Sequence, residues 1–536
     1  MFSKTWLVVA LLAVSHVALA QSNLTVRTTS GTYQGSEESG AIERWIGIRY
    51  GEPPTGSLRF KAPVPVKTPA GGTIRATTFG DACPQPADSG LGAPVGEDCL
   101  FLNVWRPSGT TATAGLPVLV FIHGGQWTTG AGSQYDPTRI IDRSVTNKKP
   151  IIFVDLNYRL NAFGFAASQF IPAEDLDMGL LDQRLALQFV QSNIAAFGGD
   201  PNKVTIWGQS AGAGSVEAHT IYFTNQTLFR GAMGDSMTGP FKSSPFPAQY
   251  DAPGKPFAEL TQQAGCPLGS GSIACLQQVP FQTLLRISNG LIAETANGQT
   301  WEPTVGVAGS FAEERASTRI AAGNFLHVPI LAGNNLNEGT IFLDAIENLP
   351  RPGMTEDQAL DFFIGELVLD NTTLTQATLD QINVFYPAND SSLGAPFNTG
   401  NSLFDRAAAF YGDNFFQAAR RRFFDAAADL QPVFGYHFTE FIPGNDPTFG
   451  VAHASELQLL YGPVPSIEEA FANQFLDFYI NFVNDLNPGS PWPQFTSTNK
   501  QLLQLMRNNV TAVPDTFDAE MITFFNTPEV LNEFEK

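Results

Sequence analysis

Basic residues are scarce in this chain. Across 536 residues, 30 Lys and Arg stand against 51 Asp and Glu, a formal charge of −21. That balance argues against nucleic acid and anionic membrane surfaces as partners. Long apolar runs are also wanting. Residues 6–14 are apolar but too few to span a bilayer, no second candidate span appears, and the C-terminus lacks an apolar anchor signal. No Pro/Ser-rich linker, charge block or internal repeat divides the chain, so residues 21–536 read as one large domain. Cysteine is rare. Cys83, Cys99, Cys266 and Cys275 allow three pairings, and two local bridges, Cys83–Cys99 and Cys266–Cys275, are the economical choice in an oxidising compartment. No histidine lies at ligand spacing from them, so a metal site is not expected. There are only six histidines, which keeps the search for a catalytic base short.

The first twenty residues carry Lys4, the apolar stretch 6–14 and the small-residue run Ala18-Leu19-Ala20. This is the pattern of a secretory signal over residues 1–20. It predicts a soluble, extracellular mature protein beginning near Gln21. Five Asn-x-Ser/Thr sequons, at Asn23, Asn225, Asn371, Asn389 and Asn509, fit a secreted glycoprotein.

Apolar runs at 118–122, 151–156, 204–207, 328–332 and 433–438 read as buried strands. Between the second and third, Leu181, Leu185 and Phe189 recur at four-residue steps, marking a helix over 177–197. Strand, helix, strand at this spacing is a βαβ unit and implies parallel strands. Such α/β sheets place ligand sites outside the carboxyl ends of their strands. Residues 340–430 are richer in helical pattern and in phenylalanine, as in DNFFQAARRRFF; the cluster reads as core rather than as an acyl or aryl pocket.

The stretch VTIWGQSAGAGS ends an apolar strand in Ser210, with Gly208 and Gly212 on either side. A bare GxSxG proves little. A short buried strand before it and a helix start after it make it a nucleophile elbow, in which crowded neighbouring backbone demands glycine. A serine hydroxyl needs a base. His16 leaves with the signal, His123 belongs to a glycine turn, and His219 lies on the same helix as Ser210. His327 precedes its strand and His437 lies inside one. His453, in the loop GVAHASEL, is left as the base. Glu338, in the asparagine-rich bend GNNLNEGT after a strand, can orient it. The order Ser210, Glu338, His453 is the order of α/β-hydrolases. For the oxyanion, LVFIHGGQW ends a strand in two glycines, and the N–H of Ala211 follows the nucleophile.

With these residues in place the sequence resembles the type-B carboxylesterase/lipase family, which includes cholinesterases and secreted fungal lipases and esterases. The resemblance runs through GIRYGEPPTGSLRF, EDCLFLNVWRP, FIHGGQWTTG, NYRLNAFGF, GLLDQRLALQFV, GDPNKVTIWGQSAGA, GNNLNEGT, GVAHASEL and FVNDLNPGSPWP. It implies an α/β-hydrolase fold with a large, mostly parallel central sheet flanked by helices. It implies a Ser210–Glu338–His453 triad, oxyanion donors at Gly125, Gln126 and Ala211, and the bridges Cys83–Cys99 and Cys266–Cys275. It also implies scaffold ion pairs Arg59–Glu97 and Arg159–Asp182, and no metal or organic cofactor.

Three departures follow from the comparison with the family pattern. Gln126 stands where glycine is usual and can narrow the pocket. Met237 replaces the glycine of a usual Ser-Gly pair after Ser236, which puts a supporting role for Ser236 in doubt. Gln209 stands where cholinesterases commonly have Glu; an elbow points that side chain away from the hydroxyl, so it is expected to support the turn. The expected activity is hydrolysis of small-molecule or lipid carboxylic esters through an acyl-enzyme. Family lipases carry a long amphipathic lid between the first two cysteines. Here that loop is PQPADSGLGAPVGED, with no apolar helical face, which favours an open-mouthed esterase over an interfacially activated lipase or sterol esterase. A catalytically inactive adhesion or scaffold protein on the same fold is the distant alternative.

Overall fold

In this computed structural model the described residues are 24–38, 41–69, 71–222, 225–295, 297–343, 346 and 353–536. The expected signal segment 1–20 and the sequon Asn23 lie outside them. Eleven strands form the main sheet: β1 (Ser36–Glu38), β2 (Ile42–Arg49), β3 (Phe101–Pro107), β4 (Leu116–Ile122), β5 (Ile152–Leu156), β6 (Gly199–Gln209), β7 (Gly231–Asp235), β8 (Ile330–Asn335), β9 (Val433–Phe438), β10 (Gln501–Leu505) and β11 (Thr511–Pro514). Their spatial order is β11-β10-β9-β8-β7-β6-β4-β5-β3-β2-β1. The run from β10 to β5 is parallel, and the strands beyond it at both edges pair antiparallel. A three-stranded sheet of Thr25–Thr28, Gly31–Gln34 and Thr73–Arg75 stands apart from it.

The central strands are covered on both faces, so they read as continuous apolar runs instead of alternating ones. All five residues of β5 are buried, and so are the last five of β4. Helix α1 (Met178–Asn193) crosses from β5 to β6, and helix α2 (Ala211–Ile221) crosses from β6 to β7. The predicted helix over 177–197 is thus α1 followed by a 3-10 turn, Ile194–Phe197, closed by Gly198 at φ 90°.

Two strands differ most from their sequence spans. β6 begins five residues earlier than the apolar run, because Gly199 pairs with Leu116 of β4. β8 begins two residues later and runs on through Gly333, Asn334 and Asn335, which pair with Tyr436, His437 and Phe438 of β9. Backbone pairing, unlike side-chain polarity, is invisible in an apolar count.

The scaffold pairs are formed. Arg59 holds Glu97 in two bonds of 2.6 and 2.8 Å, and its Nη1 also donates to the carbonyls of Leu276 and Val279 at 2.9 and 2.7 Å. Arg159 donates to both oxygens of Asp182, at 2.8 and 2.7 Å. Both pairs are buried, so removing one partner would leave an uncompensated charge, at a cost of about 3–5 kcal/mol. Cys83 is bonded to Cys99 and Cys266 to Cys275. The phenylalanine-rich region is core: Phe363, Phe410, Phe415 and Phe416 pack together with Phe525 and Phe534.

Candidate active site

Strands β4, β6, β8 and β9 end at the same edge of the sheet, and the loops that leave them carry the predicted residues. Ser210 caps α2 with φ 57° and ψ −124°, a backbone state that costs on the order of 1–3 kcal/mol. Its N–H donates to the carbonyl of Asp235 at 2.9 Å, and its own carbonyl accepts from Gly214 at 2.9 Å. A Cβ on Gly208 would lie 2.2 Å from the Gly212 carbonyl oxygen, and one on Gly212 would lie 2.0 Å from that of Ile122. The two glycines are therefore required by close approach, as the motif predicts.

Glu338 and His453 meet across the ends of β8 and β9. His453 Nδ1 lies 2.6 Å from Glu338 Oε2, and both side chains are buried. The carboxylate only accepts, so Nδ1 carries the proton and Nε2 presents its lone pair. The rings of Phe342 and Phe416 pack against the imidazole, with centroids 5.1 and 4.9 Å away. Behind them the Lys242 ammonium sits over Phe342 at 4.4 Å and Tyr411 at 4.6 Å, and burial pushes its pKa down to about 7.

Gln209 does more than support the turn: its Nε2 lies 3.2 Å from His453 Nε2. The turn places Gln209 at the last position of β6, inside the same crevice, and the crevice is narrow enough for its amide to reach His453. Among the described residues no hydrogen bond joins Ser210 Oγ to His453; the amide of Gln209 holds Nε2 instead.

The three expected oxyanion donors are oriented by anchored carbonyls. In a planar trans peptide the C=O and the following N–H point opposite ways. The Gly124 carbonyl accepts from His123 Nδ1 at 2.8 Å, which aims the Gly125 N–H. The Gly125 carbonyl accepts from the N–H groups of Thr128 and Thr129 at 3.0 and 2.9 Å, which aims the Gln126 N–H. The Ser210 carbonyl, held by Gly214, aims that of Ala211. Among the described residues none of these three N–H groups donates to a loop carbonyl or a side chain. His123 is buried, stacked on Tyr158 with centroids 4.5 Å apart, and burial lowers its pKa to about 4, so it stays a neutral donor. The side chain of Gln126 reaches the loop at Gly298, where an added Cβ would lie 3.4 Å from its Oε1.

The other histidines are placed as eliminated: His219 Nε2 lies 3.0 Å from Gln183 Oε1 within the core, and His327 caps a turn at Gly323. Ser236 sits at φ 51° after β7 with its Oγ buried and unpartnered. Two residues escaped the sequence reading. Asp235, fully buried, accepts from Trp207 Nε1 at 2.8 Å, from Tyr436 at 3.1 Å and from Tyr479; burial foremost pushes its carboxyl up to about 7. Asn335 donates its N–H to Glu338 Oε1 at 2.7 Å. Only its place at the end of a strand, three residues before Glu338, could have signalled it.

Among the described residues no cluster of His, Cys, Asp and Glu could hold a metal, and no helix is long and apolar enough to cross a membrane. The sequons Asn225, Asn371, Asn389 and Asn509 are exposed.

Comparison with known proteins points one way. The family model described as the carboxylesterase family matches residues 22–525. The chain is 34% identical to secreted lipase 1 of Botryotinia fuckeliana, over 93% of this chain and 91% of that protein. It is 30% identical to the acetylcholinesterase of Bungarus fasciatus, over 98% and 91% of the two chains. Among solved structures, Aspergillus niger EstA superposes with a TM-score of 0.80 at 27% identity, covering 96% of this chain and 99% of the other.

Proposed function

Since the chain belongs to the carboxylesterase family and has its α/β-hydrolase fold, we propose that it is a secreted esterase whose nucleophile is Ser210, whose base is His453 and whose orienting acid is Glu338. That it is a carboxylic ester hydrolase of the serine type follows from the family; the inactive-scaffold alternative is set aside on that ground. The observation that carries the residue assignment is the 2.6 Å Glu338–His453 bond beside a serine held at φ 57° on a strand-to-helix turn.

In this reading Gln209 yields Nε2 to Ser210 as substrate enters. Ser210 Oγ attacks the ester carbonyl carbon while His453 Nε2 takes its proton. The oxyanion forms against the N–H groups of Gly125, Gln126 and Ala211, donors worth about 2.7–4 kcal/mol each by analogy with measured sites. The tetrahedral intermediate collapses, the C–O bond to the alcohol breaks, and the imidazolium returns its proton to the leaving oxygen. Water then attacks the acyl-enzyme by the same route, releasing the acid and the free serine. Glu338 stabilises the imidazolium in both halves. Residues 21–536 act as a single domain, secretion follows from the signal pattern, and the exposed sequons are glycan acceptors.

A fluorophosphonate probe tests the assignment. Wild type should label at Ser210, and Ser210→Ala should lose labelling and nearly all turnover while staying folded. Undiminished hydrolysis by folded Ser210→Ala would refute it. An interfacially activated lipase is the second reading, favoured by relatives named as lipases, among them the secreted triacylglycerol lipase LIP1 of Gibberella zeae at 31% identity.

A further inference from the structure

The bend GNNLNEGT places two asparagines, Asn335 and Asn337, just before Glu338; among the described residues their side-chain hydrogen bonds all run to the turn around His453, one long bond from Asn337 Nδ2 to the Gly394 carbonyl at 3.5 Å excepted. We infer that these two side chains are positioning residues: a clasp that sets His453 against Glu338. The inference rests on the triad assignment above and adds to it what holds the pair in register.

The geometry is specific. The Asn335 N–H donates to Glu338 Oε1 at 2.7 Å. Its side-chain Nδ2 donates to the carbonyl of Ala452, the residue before His453, at 2.7 Å, and also to Glu456 Oε2, three residues after it. One fully buried residue thus grips the carboxylate and both flanks of the histidine turn. Asn337 grips the same turn from the other side. Its N–H donates to the Val451 carbonyl at 3.0 Å, and its Oδ1 accepts from the Val451 N–H at 3.0 Å.

The turn needs holding. Ala454, directly after His453, sits at φ 66°, and Gly450 at φ 62°. The left-handed conformation at alanine is unfavourable and persists where surroundings over-determine it. A Cβ on Gly450 would lie 2.4 Å from Asn337 Oδ1, so the glycine lets the clasp close. Glu456, the far anchor, is fully buried, and burial together with the charges of Asp235 and Glu338 pushes its carboxyl well up. A neutral acid there accepts from Asn335 without setting a further charge beside Glu338.

The two asparagines work through opposite atoms, and this gives the test. Asn335 acts as a donor through Nδ2, Asn337 as an acceptor through Oδ1. Asn335→Leu keeps the volume and removes the donor. Its kcat, counted per fluorophosphonate-labelled site, should fall roughly 10- to 100-fold with KM little changed, the scale of a misplaced catalytic group. Asn337→Leu should fall likewise. Asn337→Asp, which keeps the acceptor, should recover most of that loss, whereas Asn335→Asp should not.

Wild-type kcat in Asn335→Leu would overturn the clasp. If Asn335→Leu does not fold, the Asn337 pair decides: a loss in Asn337→Leu regained in Asn337→Asp supports it, and equal rates overturn it. Failure of the underlying triad looks different, because wild type itself would then not label at Ser210.

Discussion

At the scale of a residue, Gln209 changes most between sequence and structure. Its neighbour Ser210 dictates its place, since a strained elbow fixes the Cα of both. The fate of its amide is decided by His453, which arrives from a loop 244 residues away in sequence. A carboxylate in the same place cannot donate to Nε2. Gln209→Glu should therefore loosen the imidazole and lower kcat/KM about 10-fold. A kcat/KM equal to that of wild type would show that residue 209 does not position His453.

At the scale of an element, the loop between Cys83 and Cys99 bears on the substrate. It forms only a 3-10 turn, Ser89–Leu91. Leu91 is buried against Ala82 and Ala131, and the partly buried Val95 packs on the same cluster. Gln85 ties the loop down by bonds to the carbonyl and N–H of Gly130 at 2.9 and 2.8 Å, and Ser133 Oγ bonds to the Leu91 carbonyl. A lid that opens at an interface must expose apolar surface on opening. This loop has little apolar surface to expose and gains little from an interface. Smooth saturation with tributyrin through its solubility limit is the expected result, with appreciable activity on dissolved esters. An abrupt rise at that limit, with little activity below it, would move the enzyme among the lipases.

At the scale of the molecule, buried ionisable groups set the pH range of stability. Burial pushes Asp155 and Glu217 up to about 8, and Asp177, Asp235 and Glu302 up to about 7. Between the ordinary carboxyl range and those values the folded state keeps protons that the unfolded chain has released, so stability falls as pH rises. Buried His123, His219 and His437 are pushed down to about 4, 3 and 4. They act in the opposite sense below the ordinary histidine value, and their contribution is lost as pH falls. Lys242, near 7, opposes two acids above that point. The raised acids outnumber the three histidines between about pH 4 and 6.5, and they prevail above it as well. Calorimetry should find Tm a few degrees lower at about pH 8 than at about pH 6. A Tm that climbs over that interval would contradict these protonation states.

The sequence by itself determined the parts whose signals are local. The βαβ rhythm, the glycines of the elbow, the order of Ser210, Glu338 and His453 and the pairing of four cysteines all follow from short-range pattern or from motifs matched in register. Strand ends were less legible, because Asn334 and Asn335 extend β8 only by pairing with β9. The reach of Gln209 to His453, the grip of Asn335 on Ala452 and Glu456, and the aromatic wall before Lys242 were decided by the tertiary structure alone. Each brings together side chains from segments far apart in the chain, which meet only when the sheet and the helices around it assemble.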